Sequence, residues 1–314
     1  MIAVAGFNTA IDRLIDVDTL SPGVAMHARD AQAWPGGKGA HAALCAATLG
    51  EPVRLTGFVD RTNREGFTEW LRQRGVEFDA VEMSGAVRTC FAIRDREGRT
   101  TEILEPGPEI DEATARRAID TFVAACSGVH LAVLSGSVPL GMTPSTYRDI
   151  VARLEGVRVI VDASGDLLSH VLEAHPFCVK PNRSEAEALT GIPLTSPEAA
   201  SRAAREIQSR GVRLVVISLG ADGVVASWGS HLCHLRPPEV TSVNPVGAGD
   251  CLAGGLAAAL ARESRDSTRC NTGVVDALKL GVAAGTAKVL TAETGLVRRD
   301  DIDAMLGAID VRWL

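Results

Sequence analysis

Short runs of apolar residues alternate with longer amphipathic segments over the first 245 residues of the chain. The short runs are rich in Val, Ile and Leu, which is typical of strands, and the longer segments repeat apolar residues at helical spacing. The predicted strands are 2–6, 53–57, 129–134, 158–162, 177–180 and 213–218. The predicted helices are 37–49, 64–74, 112–125, 144–154, 184–189, 197–210 and, in a helical C-terminal part, 249–261, 274–290 and 300–309. This alternation predicts an α/β fold with a doubly wound, mostly parallel sheet flanked by helices.

Two segments, about 9–34 and 87–104, break this rhythm because polar and apolar residues alternate along them. Turn signals occur at Ser21-Pro22-Gly23 and at Glu97-Gly98. We expect short strands that leave the main sheet, pair with each other and form a small β lid over a cleft. No repeat or linker marks a second domain, so residues 1–314 are expected to form a single domain.

The composition excludes several classes of protein. Hydrophobic residues make up 46% and aromatic residues 4%, which predicts an aliphatic core of parallel strands between helices. The net charge is −7 and no basic run occurs, so neither nucleic acid nor an anionic membrane is an expected partner. The seven cysteines are scattered without a CxxC pair, which fits neither a disulfide framework nor a zinc site. The N-terminus resembles a first strand more than a signal peptide and no apolar run reaches membrane-spanning length, so a cytoplasmic location is expected.

The strongest chemical signal is the segment Asn244-Pro-Val-Gly-Ala-Gly-Asp250, which precedes a helical run. Its glycines allow a tight turn, so the amides of Gly247, Ala248 and Gly249 can point at one anion at a helix N-terminus. The carboxylate of Asp250 would repel a bound phosphate, unless it takes a proton from a hydroxyl that attacks that phosphate. On spacing alone, a helix cap with an acidic first turn is an equally good interpretation.

Two further motifs precede predicted helices. Pro35-Gly-Gly-Lys-Gly39 is similar to half a P-loop, but Gly39 follows the lysine where a P-loop has Ser or Thr. It fits backbone contact with a polyhydroxylated ligand, or a glycine-rich N-cap with a solvated lysine. In Val179-Lys-Pro-Asn-Arg-Ser-Glu185, spacing alone favours a capping box between Asn182 and Glu185 over a hydrated Mg²⁺ site. All three motifs follow predicted strands, at the edge where ligands of open α/β sheets bind.

Together and in this order, these motifs resemble those of the PfkB, or ribokinase-like, carbohydrate kinases over nearly the whole chain. The resemblance implies transfer of the γ-phosphoryl group of ATP to a sugar hydroxyl, with Asp250 as the base and the amides of 247–249 as the anion hole. It also implies Mg²⁺ held through water by Asn182 and Glu185, and a homodimer formed through the lid. The segment Ser218-Leu-Gly-Ala-Asp-Gly223 resembles the nucleotide-binding turn of the family. The implied nucleotide-binding residues are Lys180, Asn182, Ser218, Gly220 and Gly223.

Within the family, the chain resembles the 1-phosphofructokinase and tagatose-6-phosphate kinase group. The segments that carry this likeness are 7–12, 87–88, 101–108 and 135–139. The likeness implies a ketohexose phosphate as substrate, with its hydroxyls on Asp12 and Gly37 and its phosphate near Lys38, Arg88 and Ser137. The implied substrate-binding residues are Asp12, Gly36, Gly37, Lys38, His41, Arg88, Ser137 and His27.

Two of these positions depart from the pattern of that group. His41 stands where an Asn is usual after the Gly-Gly-Lys-Gly motif, and His27 aligns with a lid cation that is usually Arg. If both histidines bind the phosphate as imidazolium ions, phosphosugar binding should weaken between about pH 6 and 8. A kinase for an unphosphorylated sugar or nucleoside therefore stays open. A sugar or nucleotide sensor on a kinase fold is more distant because the base is present, and an oxidoreductase because G-x-G-x-x-G is absent.

Overall fold

The computed structural model describes residues 1–263 and 271–314. Its strands, in chain order, are β1 Ile2–Ala5, β2 Ala10–Asp16, β3 Asp30–Gly36, β4 Val53–Val59, β5 Val76–Glu82, β6 Arg88–Arg94, β7 Thr100–Leu104, β8 Leu131–Ser135, β9 Arg158–Asp162, β10 Cys178–Val179, β11 Leu214–Ser218, β12 Val224–Trp228, β13 His231–Arg236 and β14 Asp310–Trp313. Its α-helices are α1 Lys38–Thr48, α2 Arg64–Arg72, α3 Glu112–Ala125, α4 Thr146–Arg153, α5 Gly165–Val171, α6 Arg183–Thr190, α7 Pro197–Ser209, α8 Ala248–Arg262, α9 Asn271–Lys288 and α10 Arg299–Leu306.

The main sheet has ten strands in the order β14-β13-β12-β11-β10-β9-β8-β1-β4-β5. The seven strands from β11 to β5 pair in parallel, and β12, β13 and β14 continue the sheet in antiparallel fashion. The predicted mostly parallel sheet is thus confirmed. Strands β5, β12, β13 and β14 and helix α5 were not predicted.

The core lies on both faces of this sheet, as the alternation of side chains along a strand requires. On β1, Ile2 and Val4 belong to the cluster that packs under α1, α8 and α9. Ala3 and Ala5 point to the opposite cluster, which contains residues of α3, α4, α5 and α7. Because β1 is buried on both faces, its sequence is a continuous apolar run without polar alternation.

The segments that break the helical rhythm form a separate four-stranded sheet in the order β3-β2-β6-β7. The two predicted excursions pair with each other through β2 and β6, which run in parallel. Leu14, Trp34 and Ala92 are buried on one face of this sheet, where Trp70 of α2 packs against them. We call this four-stranded sheet the lid; it stands beside the carboxyl ends of the central strands and places β2 and β7 along the cleft described below.

Neither disulfides nor membrane spans occur in the described ranges. All six cysteines there are free, and Cys270 lies outside those residues. Across the part of the chain that the structure describes, no helix combines the length and the apolar character needed to cross a bilayer.

Candidate active site

The cleft lies at the point where the order of the parallel strands reverses. The sheet extends from β1 to β4 and β5 on one side, and to β8, β9, β10 and β11 on the other. Ligands of open α/β sheets bind beyond the carboxyl ends of strands at such a point. This edge and the lid line a cleft of about 1490 Å³. A pocket for one small ligand has roughly 300–1,000 Å³, so the cleft has room for two ligands side by side.

The N-terminus of α8 forms one wall of the cleft. Gly247 has φ 90° and ψ 0°, a left-handed conformation that lets the chain enter the helix at Ala248. The Ala248 amide donates to the Pro245 carbonyl at 3.1 Å, whereas the amides of Gly247, Gly249 and Asp250 have no acceptor among the described residues. The amides of Gly247, Gly249 and Asp250 are therefore available to an anion at this turn, whereas that of Ala248 already has an acceptor. The positive end of the helix also favours an anion at this place.

The carboxyl group of Asp250 is buried at the same wall. Burial acts to raise its pKa, but the hydrogen bond and charge of His41 and the charge of Lys38 hold the pKa below its ordinary value. Asp250 Oδ2 accepts a hydrogen bond from His41 Nδ1 at 2.7 Å, and Oδ1 has no hydrogen-bond partner in the described ranges. An ionised carboxylate with one free oxygen at a cleft suits a general base.

The glycine-rich motif at the start of α1 forms the wall opposite. Gly37 has φ 96°, and it lines the cleft together with Lys38 and His41. Gly36 is not among the lining residues, because it lies behind Asp12: a Cβ at Gly36 would be 2.1 Å from Asp12 Oδ2. Gly36 thus makes room for a cleft side chain, whereas Gly37 is itself in reach of a ligand.

The imidazole of His41 joins two carboxylates of the cleft. Nδ1 is 2.7 Å from Asp250 Oδ2, and Nε2 is 2.5 Å from Asp12 Oδ2. Burial acts to lower the pKa of His41, but the two carboxylates raise it to about 10. The loss of charge between pH 6 and 8 that a phosphate-binding histidine would show therefore does not apply to His41. His27 lies in the exposed loop between β2 and β3 and is not part of the cleft wall.

Arg88 places one cation on the lid side of the cleft. Arg88, at the start of β6, donates to the carbonyls of Glu105 at 3.2 Å and Asn8 at 3.0 Å. Its Nε is buried without a hydrogen-bond partner in the described part of the chain. The side chain of Asn8 in turn donates to Ser137 Oγ at 2.8 Å, so Ser137 lies at the same place. A buried N–H without a partner, on a permanently charged group, favours an anionic ligand.

The ends of β9 and β10 carry a buried ion pair. Lys180 Nζ is 3.0 Å from Asp162 Oδ1, and Asp162 Oδ2 has no hydrogen-bond partner among the residues described. Burial raises the pKa of Asp162, although the ammonium groups of Lys180 and Lys38 act in the opposite direction. Both members of the pair line the cleft.

The third motif forms a complete capping box at the start of α6. The Glu185 amide donates to Asn182 Oδ1 at 2.9 Å, and the Asn182 amide donates to Glu185 Oε2 at 2.8 Å. The capping interpretation of this motif is therefore confirmed. Both residues also line the cleft, as do Ser218, Gly220 and Gly223 at the end of β11.

The comparison with known proteins assigns the family. Residues 4–300 match the sequence profile described as pfkB family carbohydrate kinase. The chain belongs to this family. The 1-phosphofructokinase of Xanthomonas campestris pv. campestris is 32% identical over 309 residues, which cover 96% of each chain. The pfkB family assignment confirms an enzyme that phosphorylates a carbohydrate, with ATP as the co-substrate.

Solved structures agree with a ribokinase-like fold for this pfkB kinase. Phosphofructokinase-2 from Escherichia coli, in complex with potassium, superposes with a TM-score of 0.88 at 26% identity over 98% of each chain. The same enzyme was solved in complex with fructose-6-phosphate, and that structure superposes with a TM-score of 0.86 at 25% identity. A ribokinase from Thermotoga maritima superposes with a TM-score of 0.76 at 24% identity, covering 98% of this chain and 99% of its own, which supports the shared fold.

Several polar residues of the cleft were missed in the sequence, among them Asn8, Glu102 and Asp162. Asn8 comes shortly after β1, and Asp162 is the last residue of β9, so the position of a polar residue at the carboxyl end of a buried strand could have revealed them. Glu102 belongs to β7 of the lid, and only the register of that strand determines which face its side chain takes. Partial desolvation in the cleft raises the pKa of Glu102, and the nearby carboxylates of Asp12 and Asp250 add to this effect.

A buried lysine supports the glycine loop of this kinase from behind. Lys288, the last residue of α9, is fully buried and donates from Nζ to the Asn244 carbonyl at 2.8 Å. The Asn244 side chain accepts the Val246 amide at 3.0 Å and donates to the Ala292 carbonyl at 2.7 Å. Burial lowers the pKa of Lys288 to about 8.

Proposed function

We propose that this pfkB-family kinase phosphorylates a ketohexose phosphate, as enzymes of the 1-phosphofructokinase and tagatose-6-phosphate kinase type do. The observation that carries the proposal is the guanidinium of Arg88 in the cleft, with Nε buried and lacking a partner among the described residues. Lys38 lines the same cleft, where the charges of several carboxylates outweigh burial and raise its pKa above the ordinary value. Two permanent cations at one cleft fit a substrate that already carries a phosphate.

In the proposed mechanism, the sugar hydroxyls lie against Asp12 and the backbone of Gly37. Asp250 Oδ1 takes the proton of the attacking sugar hydroxyl while the oxygen of that hydroxyl forms a bond to the γ-phosphorus of ATP. The bond from that phosphorus to the β,γ-bridging oxygen breaks, and ADP leaves with the electron pair. The free amides at the start of α8 and the Lys38 ammonium stabilise the charge on the transferred group. Positioning and electrostatic stabilisation supply most of the rate in such a reaction.

The residues at the ends of β9 and β10 fit a hydrated Mg²⁺. Within the described ranges no group of three His, Cys, Asp or Glu side chains is arranged so that it could hold a metal ion. Glu185 nevertheless keeps one carboxylate oxygen outside the capping box, and Asp162 Oδ2 is buried without a protein partner. Mg²⁺ prefers oxygen ligands and keeps several waters, so Asn182 and Glu185 would hold it through water. When bound, the ion neutralises charge on the ATP phosphates.

The lid supports the proposal of a homodimer. Its outer strand β7 exposes Ile103 and Leu104, with 55% and 58% of their surface accessible. Exposed apolar residues on an edge strand favour pairing with another strand. We propose that the lid of a second subunit covers this edge, which would also help to exclude water from the phosphoryl transfer. Analytical sedimentation tests this arrangement: we expect the wild type to be a dimer and Leu104→Glu to be a monomer.

An unphosphorylated sugar or nucleoside is the second candidate substrate, and the carboxyl group of Glu102 favours it. This group lines the cleft with Arg88 and Lys38, where an ionised carboxylate would repel a substrate phosphate. The two candidates differ in what Arg88 contributes. For a phosphosugar it contributes binding energy of about 1.5–3 kcal/mol, whereas for a neutral sugar its contribution is small.

The deciding assay measures kcat/KM for fructose 1-phosphate, fructose 6-phosphate, tagatose 6-phosphate and the unphosphorylated parents. We expect a phosphosugar to be preferred, and Arg88→Ala to lower its kcat/KM by about 10–100-fold, with little effect on neutral sugars. Arg96→Ala is the matched control, because Arg96 lies in a lid turn with an exposed ion pair to Asp18 at 2.8 Å. Preference for a neutral sugar, unchanged in Arg88→Ala, would show that the substrate carries no phosphate.

A further inference from the structure

The imidazole of His41 lies between the carboxylates of Asp12 and Asp250. Its two ring nitrogens are 2.5 Å and 2.7 Å from one oxygen of each carboxylate, and all three side chains are buried. An ionised carboxylate only accepts hydrogen bonds, so both contacts are hydrogen bonds only when both ring nitrogens carry a proton. That condition describes an imidazolium between two carboxylates, with one net negative charge for the three groups.

Glycines on three segments leave the space for this arrangement. A Cβ at Gly295 would lie 1.9 Å from His41 Cδ2, and one at Gly36 would lie 2.1 Å from Asp12 Oδ2. A Cβ at Gly247 would reach Gly295 at 2.7 Å and His41 Nδ1 at 3.4 Å. The backbone therefore closes around the imidazole and holds it in one place.

Resting on the function proposed above, we propose that His41 is a positioning residue for the catalytic base. As an imidazolium it joins the residue that holds the sugar, Asp12, to the residue that removes its proton, Asp250. The bond to Asp250 Oδ2 turns the free Oδ1 towards the cleft. The positive charge of His41 also offsets one of two carboxylates that would otherwise repel the triphosphate.

An Asn, which is usual at this position in the group that the chain resembles, cannot replace these two bonds. Its donors share one nitrogen, whereas the ring of His41 donates from two nitrogens on different sides. It also carries no charge. In His41→Asn, Asp250 loses a bonded cation, and its pKa rises. The base is then protonated at a higher pH than in the wild type.

Other charged groups near Asp12, His41 and Asp250 also influence the protonation of these three side chains. Lys38 and Lys180 are positive and act on Asp250, as does the buried Lys288 behind the glycine loop. Glu102 and Asp162 are negative groups of the same cleft. Cys251, behind His41, has a pKa raised well above its ordinary value by Cys45 and by burial, so its thiol stays neutral. None of these groups contacts a ring nitrogen of His41 within hydrogen-bond distance.

Histidine NMR of the full-length protein tests the charge state without any substrate. With ¹³C,¹⁵N-histidine, we expect one imidazole to stay protonated up to at least about pH 9, and to be missing from His41→Asn. Its titration should move to lower pH in Asp12→Asn. If every histidine of the wild type loses its proton below about pH 8, the inference is overturned, and this result does not depend on the folding of any variant.

The pH dependence of kcat/KM separates a positioning role from a structural one. In His41→Asn we expect kcat to fall by about 10–100-fold and the acid limb of the profile to move to higher pH. A uniform loss at every pH would overturn the inference. The matched control is His234→Asn, because His234 is also buried but its one side-chain hydrogen bond within the described residues is with the Asp222 carbonyl, at 2.6 Å. The acid limb of this variant should not move. If no phosphosugar is turned over while the protonated imidazole persists, the proposed substrate fails and the placement of His41 stands.

Discussion

Gly295 is the position where a single methyl group tests the packing around His41. It has φ +70°, and a Cβ there would be 1.9 Å from His41 Cδ2. Carbon atoms in contact need about 3.5–4.0 Å, so in Gly295→Ala the ring must move by about 1.5 Å or more. The hydrogen bond from His41 to Asp250, now 2.7 Å long, does not survive a shift of that size.

The expected loss of stability has two parts. Hydrogen bonds to charged groups contribute about 1.5–3 kcal/mol each, so the two bonds of His41 together amount to about 3–6 kcal/mol. The left-handed backbone adds about 1–2 kcal/mol for any residue with a Cβ. Gly156 isolates the second part, because it has φ +72° and a Cβ added there would have no atom of the described residues within 4 Å beyond its chain neighbours. We therefore expect Gly295→Ala to be less stable than Gly156→Ala by about 3 kcal/mol or more.

Urea unfolding and kcat measure this difference. Trp34 donates from Nε1 to the carbonyl of Thr294 at 3.3 Å, so its fluorescence reports on the segment next to Gly295. A difference of about 3 kcal/mol corresponds to about 4–5 °C in melting temperature for a chain of this length. We also expect kcat to fall by about 10²-fold in Gly295→Ala, because the base is no longer held in place. Equal stability and equal kcat in the two variants would refute the placement of His41 against Gly295.

Three further predictions concern the loop at the start of α8 and its support. Asp250→Asn keeps the shape of the side chain but removes the base, so kcat should fall by about 10²–10⁴-fold while calorimetry still detects ATP binding. A variant that retains a tenth of the wild-type kcat would contradict the role of Asp250 as the base. Gly249→Ala should keep its stability, because among the described residues a Cβ there would have no contact closer than 3.5 Å. Gly247→Ala should unfold at a lower urea concentration, because Gly247 has φ +90° and its Cβ would lie 2.7 Å from the Gly295 backbone. The reverse order of stability would contradict the loop geometry. Lys288 has a pKa of about 8 in the folded protein, against an ordinary value of 10.5, so between these pH values the unfolded chain binds more protons than the folded one. The free energy of unfolding should therefore rise with pH in this range, relative to Lys288→Met, by at most about 1.4 kcal/mol per pH unit. Parallel curves of stability against pH for the two proteins would contradict the burial of the ammonium group.

The parallel part of the sheet was predictable because its strands are buried on both faces. The run of β9 was predicted at its observed bounds, Arg158–Asp162, and α3 at Glu112–Ala125. The antiparallel extension was not. Strand β14, Asp310–Trp313, has one buried neighbour strand and exposed side chains, so its extended form depends on pairing with β13 and leaves little pattern in the sequence.

The candidate site was predictable where a motif and a strand end coincide. Of the substrate residues, Arg88 and Ser137 were placed only through the resemblance, yet both lie at the cleft with Asn8 between them. His27 was aligned on a cation of the lid, but its loop is exposed and outside the cleft. An alignment gives the place of a residue in the chain, whereas the direction of a loop depends on contacts that the alignment does not contain.

The departure at His41 was visible in the sequence, but its consequence was not. Its partners are 29 and 209 residues away, and no local pattern links three positions so far apart. The charge of the ring also depends on its burial, because water would weaken the attraction between an exposed imidazolium and the same two carboxylates. Two buried carboxylates at one phosphate site repel an anionic ligand, and the charge of His41 offsets one of them. The ring lies between the two carboxylates, with Nδ1 2.7 Å from Asp250 Oδ2 and Nε2 2.5 Å from Asp12 Oδ2, so one cation serves both.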